Sequence, residues 1–74
     1  MATMHVLGRG GDSETRWEFS DPSSVERARK RFDQHIAAGC LGFETHKPGG
    51  EAFQVSKFNP AANEIILARP LVGG

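Results

Sequence analysis

Apolar and polar positions divide the chain into short stretches of two different periods. Met4-His5-Val6-Leu7 is a short strand candidate. From Glu14 to Ser20, Thr15, Trp17 and Phe19 alternate with Glu14, Arg16, Glu18 and Ser20, the period of two expected of a half-buried strand. The stretch between them, Gly8-Arg9-Gly10-Gly11-Asp12-Ser13, is rich in residues that accept positive φ and predicts a hairpin connection. The first two strands should therefore be antiparallel neighbours. The period then changes: Val25, Ala28, Phe32, Ile36 and the small Gly39 recur at intervals of three and four, forming one apolar stripe of a helix. Two start signals compete, Pro22 after Asp21 and the capping-box spacing of Ser23 and Glu26, while Gly39 is a natural stop. The predicted helix runs from about Asp21 to Ala38 and is the only substantial one in the sequence.

The period of two then returns. Leu41, Phe43 and Thr45 alternate with Gly42, Glu44 and His46; Pro48-Gly49-Gly50 breaks the chain; Phe53 and Val55 alternate with Gln54 and Ser56 up to Phe58. Asn59-Pro60-Ala61-Ala62-Asn63 predicts a turn, with room for a single helical turn inside it. Glu64-Ile65-Ile66-Leu67-Ala68 is continuously apolar after its first residue, as strands in the middle of a sheet are. Pro70 should end its ladder, because proline offers no backbone donor. The order strand, strand, helix, strand, strand, strand predicts an α+β domain of two layers. One helix lies across one face of a four- or five-stranded mixed sheet, the arrangement that buries the stripe with the fewest layers. Residues 1–70 are expected to form one domain and residues 71–74 a flexible tail.

Composition narrows the possible functions. Seventy-four residues bury only about 60% of the unfolded surface, which leaves a thin core and no cleft between lobes. Nine basic and nine acidic residues cancel, so no net field draws the chain to nucleic acid or to a membrane. With no apolar run near the length of a membrane span, no recognisable leader in Met1 to His5 and one cysteine, Cys40, the expected compartment is reducing and cytoplasmic.

Few residues suggest chemistry of their own. The N-terminal glycines lack the Gly-Lys-Ser/Thr ending of a phosphate loop, and a strand rather than a helix follows them. Arg27-Ala28-Arg29-Lys30-Arg31 places four cations around a helix, where Glu26 with Lys30 and Arg29 with Asp33 can pair at i, i+4. His5, His35, His46 and Cys40 show no metal-ligand spacing, and a Cys40 thiolate would be disfavoured just beyond a helix C-terminus. Nine carboxylates are scattered over the elements with no pair spaced for acid–base work. The chain is therefore expected not to be an enzyme and to bind no metal or cofactor itself.

The stretch Arg69-Pro70-Leu71-Val72-Gly73-Gly74 is different. At an average glycine usage of roughly 7%, a closing Gly-Gly arises by chance in about one chain in 200, and here it follows an apolar strand. A terminal carboxylate that must thread a narrow channel into another protein's nucleotide site needs residues without a Cβ, which glycine supplies. Leu71 and Val72 would provide the apolar grip outside that channel.

The strand-strand-helix-strand-strand-strand order and the ending Ile65-Ile66-Leu67-Ala68-Arg69-Pro70-Leu71-Val72-Gly73-Gly74 resemble the ubiquitin-like β-grasp proteins. In the tail, the likeness is greatest to prokaryotic sulfur carriers, the small subunit of molybdopterin synthase and the thiamine-pathway carrier. Pro70 to Gly74 follow their ending, whereas Arg69 is more similar to the ubiquitin tail and Gly39-Cys40-Leu41-Gly42-Phe43 has no counterpart. The resemblance implies a carrier or modifier whose Gly74 carboxylate is adenylated by an E1-like activating enzyme using ATP and Mg²⁺. The product is a thiocarboxylate, or a thioester later passed to an amine. Gly73 would give clearance and Arg69, Pro70, Leu71 and Val72 would be read by the partner. Further partners implied are a sulfurtransferase, a conjugating enzyme or a JAB-type protease. The alternative is a non-catalytic binding or assembly module, such as a small phage or operon-encoded structural protein, with an inert Gly-Gly end.

Overall fold

The computed structural model describes residues 1–7, 13–47 and 50–69. Gly8 to Asp12, Pro48-Gly49 and the tail from Pro70 to Gly74 lie outside the described residues, and with them most of the expected hairpin connection and the break after His46. The elements are β1 (Ala2–Leu7), β2 (Ser13–Trp17), α1 (Pro22–Ala37), β3 (Leu41–Thr45), β4 (Phe53–Val55) and β5 (Glu64–Ala68). They form an α+β fold with one five-stranded mixed sheet in the order β2-β1-β5-β3-β4. β1 and β5 are parallel at its centre, and every other neighbouring pair is antiparallel.

The helix start is decided by Asp21. Its extended backbone (φ −112°, ψ 97°) is that of an N-cap, Pro22 occupies the first turn, and Asp21 Oδ1 accepts the Ser23 N–H at 3.2 Å. The helix end is a paired-bond cap: Cys40 N donates to His35 O at 2.9 Å and Gly39 N to Ile36 O at 3.0 Å. That closure needs a left-handed residue, and Gly39 has φ 101°. Asp21→Ala is expected to cost about 1 kcal/mol, within roughly 0.5–2 kcal/mol for an N-cap, read as a lowered denaturation midpoint. An unchanged midpoint would show the cap to be dispensable.

Several strand boundaries differ from those the alternation predicts; β2 begins one residue early, at Ser13, and β3 ends at Thr45, before His46. β1 begins at Ala2, not Met4, because buried Ala2 pairs with Trp17 and lengthens the ladder. β2 ends at Trp17, not Ser20: Asp21 N bonds back to Glu18 O at 2.9 Å, which turns the chain into the helix and leaves Phe19 70% exposed. β4 keeps only Phe53–Val55, and Phe58 leaves the sheet to pack in the core. The 59–63 segment is a turn, with Asn59 O accepting the Ala62 N–H at 3.1 Å and Asn59 Oδ1 the Ala61 N–H at 3.0 Å.

The core lies between α1 and one sheet face. Met4, Trp17, Phe32, Ile65 and Leu67 are its largest fully buried side chains. Half-buried Phe58 stands edge-on to Trp17 at 5.0 Å between ring centroids and tilted to Phe32 at 5.8 Å. Trp17 Nε1 donates to Pro60 O at 3.0 Å, which satisfies its polar atom and holds the turn over the core. On the exposed side of α1, the expected Glu26–Lys30 pair is replaced. Glu26 accepts hydrogen bonds from Arg29, which also reaches Asp33 at 3.3 Å as expected. The Arg29 hydrogen bond holds the Glu26 carboxyl below its ordinary range, but so exposed a pair adds little stability. Among the described residues, no helix is long and apolar enough to cross a membrane.

Candidate functional site

Cross-strand partners share a face, so the registers sort every strand residue to the helix side or the open side. Ala2, Met4 and Val6, Trp17, Ile65 and Leu67, and Val55 point toward α1. Gly42 and Glu44, which pair with Leu67 and Ile65, must do the same. This reverses the apolar alternation of β3: Leu41 and Phe43 face away from the core. Phe32 explains the exchange. A Cβ on Gly42 would lie 3.2 Å from Phe32 Cε2, 3.3 Å from Leu67 Cδ2 and 3.0 Å from Val55 O, so the ring occupies the space a side chain would need. Behind it, Glu44 is mostly enclosed, with Oε1 3.5 Å from His46 Nε2 and Oε2 buried without a hydrogen-bond partner.

The open face is therefore graded along the strands. At the end where β5 finishes, Leu7, Ala68 and Leu41 form one row across β1, β5 and β3, with Leu7 44% and Leu41 38% exposed. The next row is Glu14, His5, Ile66, Phe43 and Gln54, crossing all five strands. The third, Arg16, Thr3, Glu64 and Thr45, is polar, and of these Thr45 is buried. Two polar contacts flank the apolar centre, His5 Nε2 with Glu64 Oε2 at 3.5 Å and the ion pair of Arg16 Nε with Glu14 Oε1 at 3.3 Å. An apolar centre with a polar margin is an arrangement that interaction surfaces share.

Arg69 follows β5 directly and is exposed, beside this apolar row. Of the tail residues the sequence singles out, it alone is described; Pro70, Leu71, Val72, Gly73 and Gly74 lie outside the described residues. The sequence could not identify the open-face residues, because alternation tells which residues share a face but not which face is covered. Cys40 is a buried core residue. Among the described residues, no group of three or more His, Cys, Asp or Glu side chains could hold a metal ion.

At the other end of the sheet, where β1 and β5 begin, an open depression of about 680 Å³ is lined by residues that include Met1, Phe19, His46 and Pro60. Arg69 is not among the residues that line it.

No protein-family model matches the chain, and comparisons with curated proteins and with solved structures give no match.

Proposed function

We propose that this chain is a ubiquitin-like β-grasp carrier whose Gly74 carboxylate, once terminal, is activated by an E1-like partner. The observation that carries the reading is the apolar row Leu7, Ala68 and Leu41, set on the helix-free face where the last strand leads into Arg69 and the tail. A five-stranded mixed sheet crossed by a single helix is compatible with that fold.

In this reading the chain is a substrate and not a catalyst. The Gly74 carboxylate attacks the α-phosphorus of ATP, held with Mg²⁺ in the partner, and pyrophosphate leaves. A sulfur nucleophile then attacks the acyl carbon and AMP departs. A sulfide-level donor leaves a thiocarboxylate, the product of a sulfur carrier; a partner cysteine leaves a thioester, which an amine can convert to an amide. A sulfurtransferase would serve the first branch, and a conjugating enzyme and JAB-type protease the second. The chain itself contributes position. Leu7, Leu41, Phe43 and Ile66 would seat the partner, Arg69 to Val72 would be recognised, and Gly73 would give clearance at the channel. The setting this chemistry implies is cytoplasmic, with neither nucleic acid nor membrane as partner.

The test is intact-mass analysis after incubation with ATP, Mg²⁺ and a candidate activating enzyme, on the wild type and on Phe43→Ser. Phe43 faces away from the core, so the variant should fold and unfold as the wild type does while activation falls about tenfold or more, as loss of an aromatic anchor predicts. Adduct formation unaffected by Phe43→Ser would remove the open face from the docking role. No adduct with any activating enzyme would favour the assembly module.

A further inference from the structure

We propose that two copies of this chain associate through the free edges of their β4 strands, which pair antiparallel about a two-fold axis passing through Gln54.

β4 closes the sheet on the side away from β2, and among the described residues its strand partner is β3 alone. An uncovered edge of this kind is a template for another strand, and Phe53–Val55 carries no charge or proline to discourage pairing. The ladder fixes where its backbone groups point. Thr45 O accepts the Asn63 N–H at 2.8 Å, so Thr45 turns its groups toward β5. Successive residues of a strand turn theirs to opposite sides, which directs those of Glu44 and Gly42 at β4. Their partners Phe53 and Val55 answer them, and Val55 O stands 3.0 Å from where a Gly42 Cβ would lie. Gln54, between the two, therefore directs its N–H and C=O out of the sheet. Two copies related by a two-fold axis exchange that donor and acceptor as one closely spaced pair of bonds, Gln54 to Gln54.

The side chains select a second copy of this chain. With Gln54 opposite Gln54, Phe53 of each copy faces Val55 of the other, and Glu51 of each faces Lys57 of the other. Phe53 and Val55 project to the helix side, as their partners Glu44 and Gly42 do. Of all the strands, α1 lies closest to β2, at the opposite margin of the sheet, and Phe53 is left 56% exposed. In the dimer each Phe53 ring packs against the half-buried Val55 of the other copy. That pair is of the non-hydrogen-bonded type, whose side chains approach most closely.

The ends of the interface are complementary in charge. Glu51 and Lys57 are exposed, and among the described residues neither has an ion partner. The chain bends at Ser56 and Lys57, and the flexible four-carbon stem of the lysine covers the departure from the strand line. One register thus supplies the backbone bonds, two aromatic–aliphatic pairs and two opposite-charge pairs. Nine basic and nine acidic residues cancel, so no net repulsion opposes self-association. The interface is short, so the association is weak, in the class that buries less than about 1,200 Å². Cross-strand partners share a face, so the two open faces come to lie side by side with the row Leu7, Ala68 and Leu41 uncovered in both. Nothing in the pairing depends on the tail.

The test is sedimentation of the whole chain from about 10 µM to about 2 mM, the range over which a weak dimer forms. The expected result is a weight-average mass that climbs from monomer toward dimer, with exchange protection of the Gln54 N–H rising in step. Isotope-filtered NMR of mixed labelled and unlabelled chain should show the Phe53 ring against the Val55 methyls of the other copy. Gln54→Pro removes the outward donor and leaves the bonds to β3 in place, so it should abolish dimerisation with an unchanged circular dichroism spectrum. Glu51→Lys and Lys57→Glu each make both end pairs repulsive and should weaken association about fivefold or more. Mixed in equal amounts, these two variants bring opposite charges together at both ends and should associate as the wild type does. The proposal is overturned if the mass stays monomeric at millimolar concentration, or if protection appears at residues 13–17 or around Ile66 and not at Gln54. It is also overturned if folded Gln54→Pro still dimerises, or if the mixed charge variants associate no better than either alone.

Discussion

Deleting Gly74, or replacing Gly73 with valine, is expected to leave the fold unchanged and to abolish acyl-adenylate formation. The fold should survive because, among the described residues, the core lies between Ala2 and Leu67. Chemistry should fail for two distinct reasons. Without Gly74 the carboxylate stops about 3.3–3.6 Å short of the nucleotide, the reach of one extended residue. With valine at position 73, a branched Cβ must pass where the channel was argued to admit none, and its φ is restricted where glycine's is not. One alanine added beyond Gly74 should block activation by the opposite displacement, unless a protease trims it. The measurement is release of pyrophosphate with intact mass of the carrier, alongside thermal unfolding of each variant. Equal midpoints with lost adenylation support the carrier. Full biological activity in all three variants would make the Gly-Gly incidental and favour an assembly module.

The second large effect is on stability. Phe32→Ala is expected to cost roughly 3–5 kcal/mol, the range for removing a fully buried phenylalanine. Phe32 is 0% exposed, lies in tilted contact with Phe58 and occupies the space above Gly42. At about 0.05–0.15 kcal/mol per residue, a chain of this length has roughly 4–11 kcal/mol in all, so the substitution removes a large part of it. Urea unfolding should show a much lowered midpoint or no folded baseline. Phe19→Ala is the control: with Phe19 70% exposed, it should change stability by no more than about 0.5 kcal/mol. Comparable losses from both would mean that the assignment of Phe32 to the covered helix face is wrong.

Much of the architecture was legible because it is written in local periodicity. The stripe Val25, Ala28, Phe32 and Ile36 specifies a helix and the side it buries, and Gly39 marks its end with a backbone conformation that other residues rarely adopt. Of the two helix starts the sequence left open, the structure takes Asp21 before Pro22, and all five strands occur where alternation or an apolar run predicted them. The strand ends were less legible. Thr15, Trp17 and Phe19 alternate without interruption, yet the strand stops at Trp17 because the Glu18 carbonyl accepts the Asp21 N–H and turns the chain.

The candidate site divides in the same way. That Arg69 to Gly74 form a chemically distinct stretch is a property of the sequence alone, since residue types in order are enough to set it apart. Which sheet face stays open is not. Period-two alternation puts Leu41 and Phe43 on one side of β3 and Gly42 and Glu44 on the other, but says nothing of which side meets the helix. The size of Phe32 settles it. Its ring fills the position above Gly42, the smallest residue of the strand is drawn inward, and the two apolar side chains are left on the open face. Tertiary pairing then sets them in register with Leu7, Ile66 and Ala68, residues distant in sequence, to make one continuous patch. The sequence by itself determined the elements, the helix face and the unusual tail, because each depends on neighbours within a few residues. Only the tertiary structure decided which sheet face stays open and which edge is free, because both depend on the volumes and strand partners that meet when the chain closes.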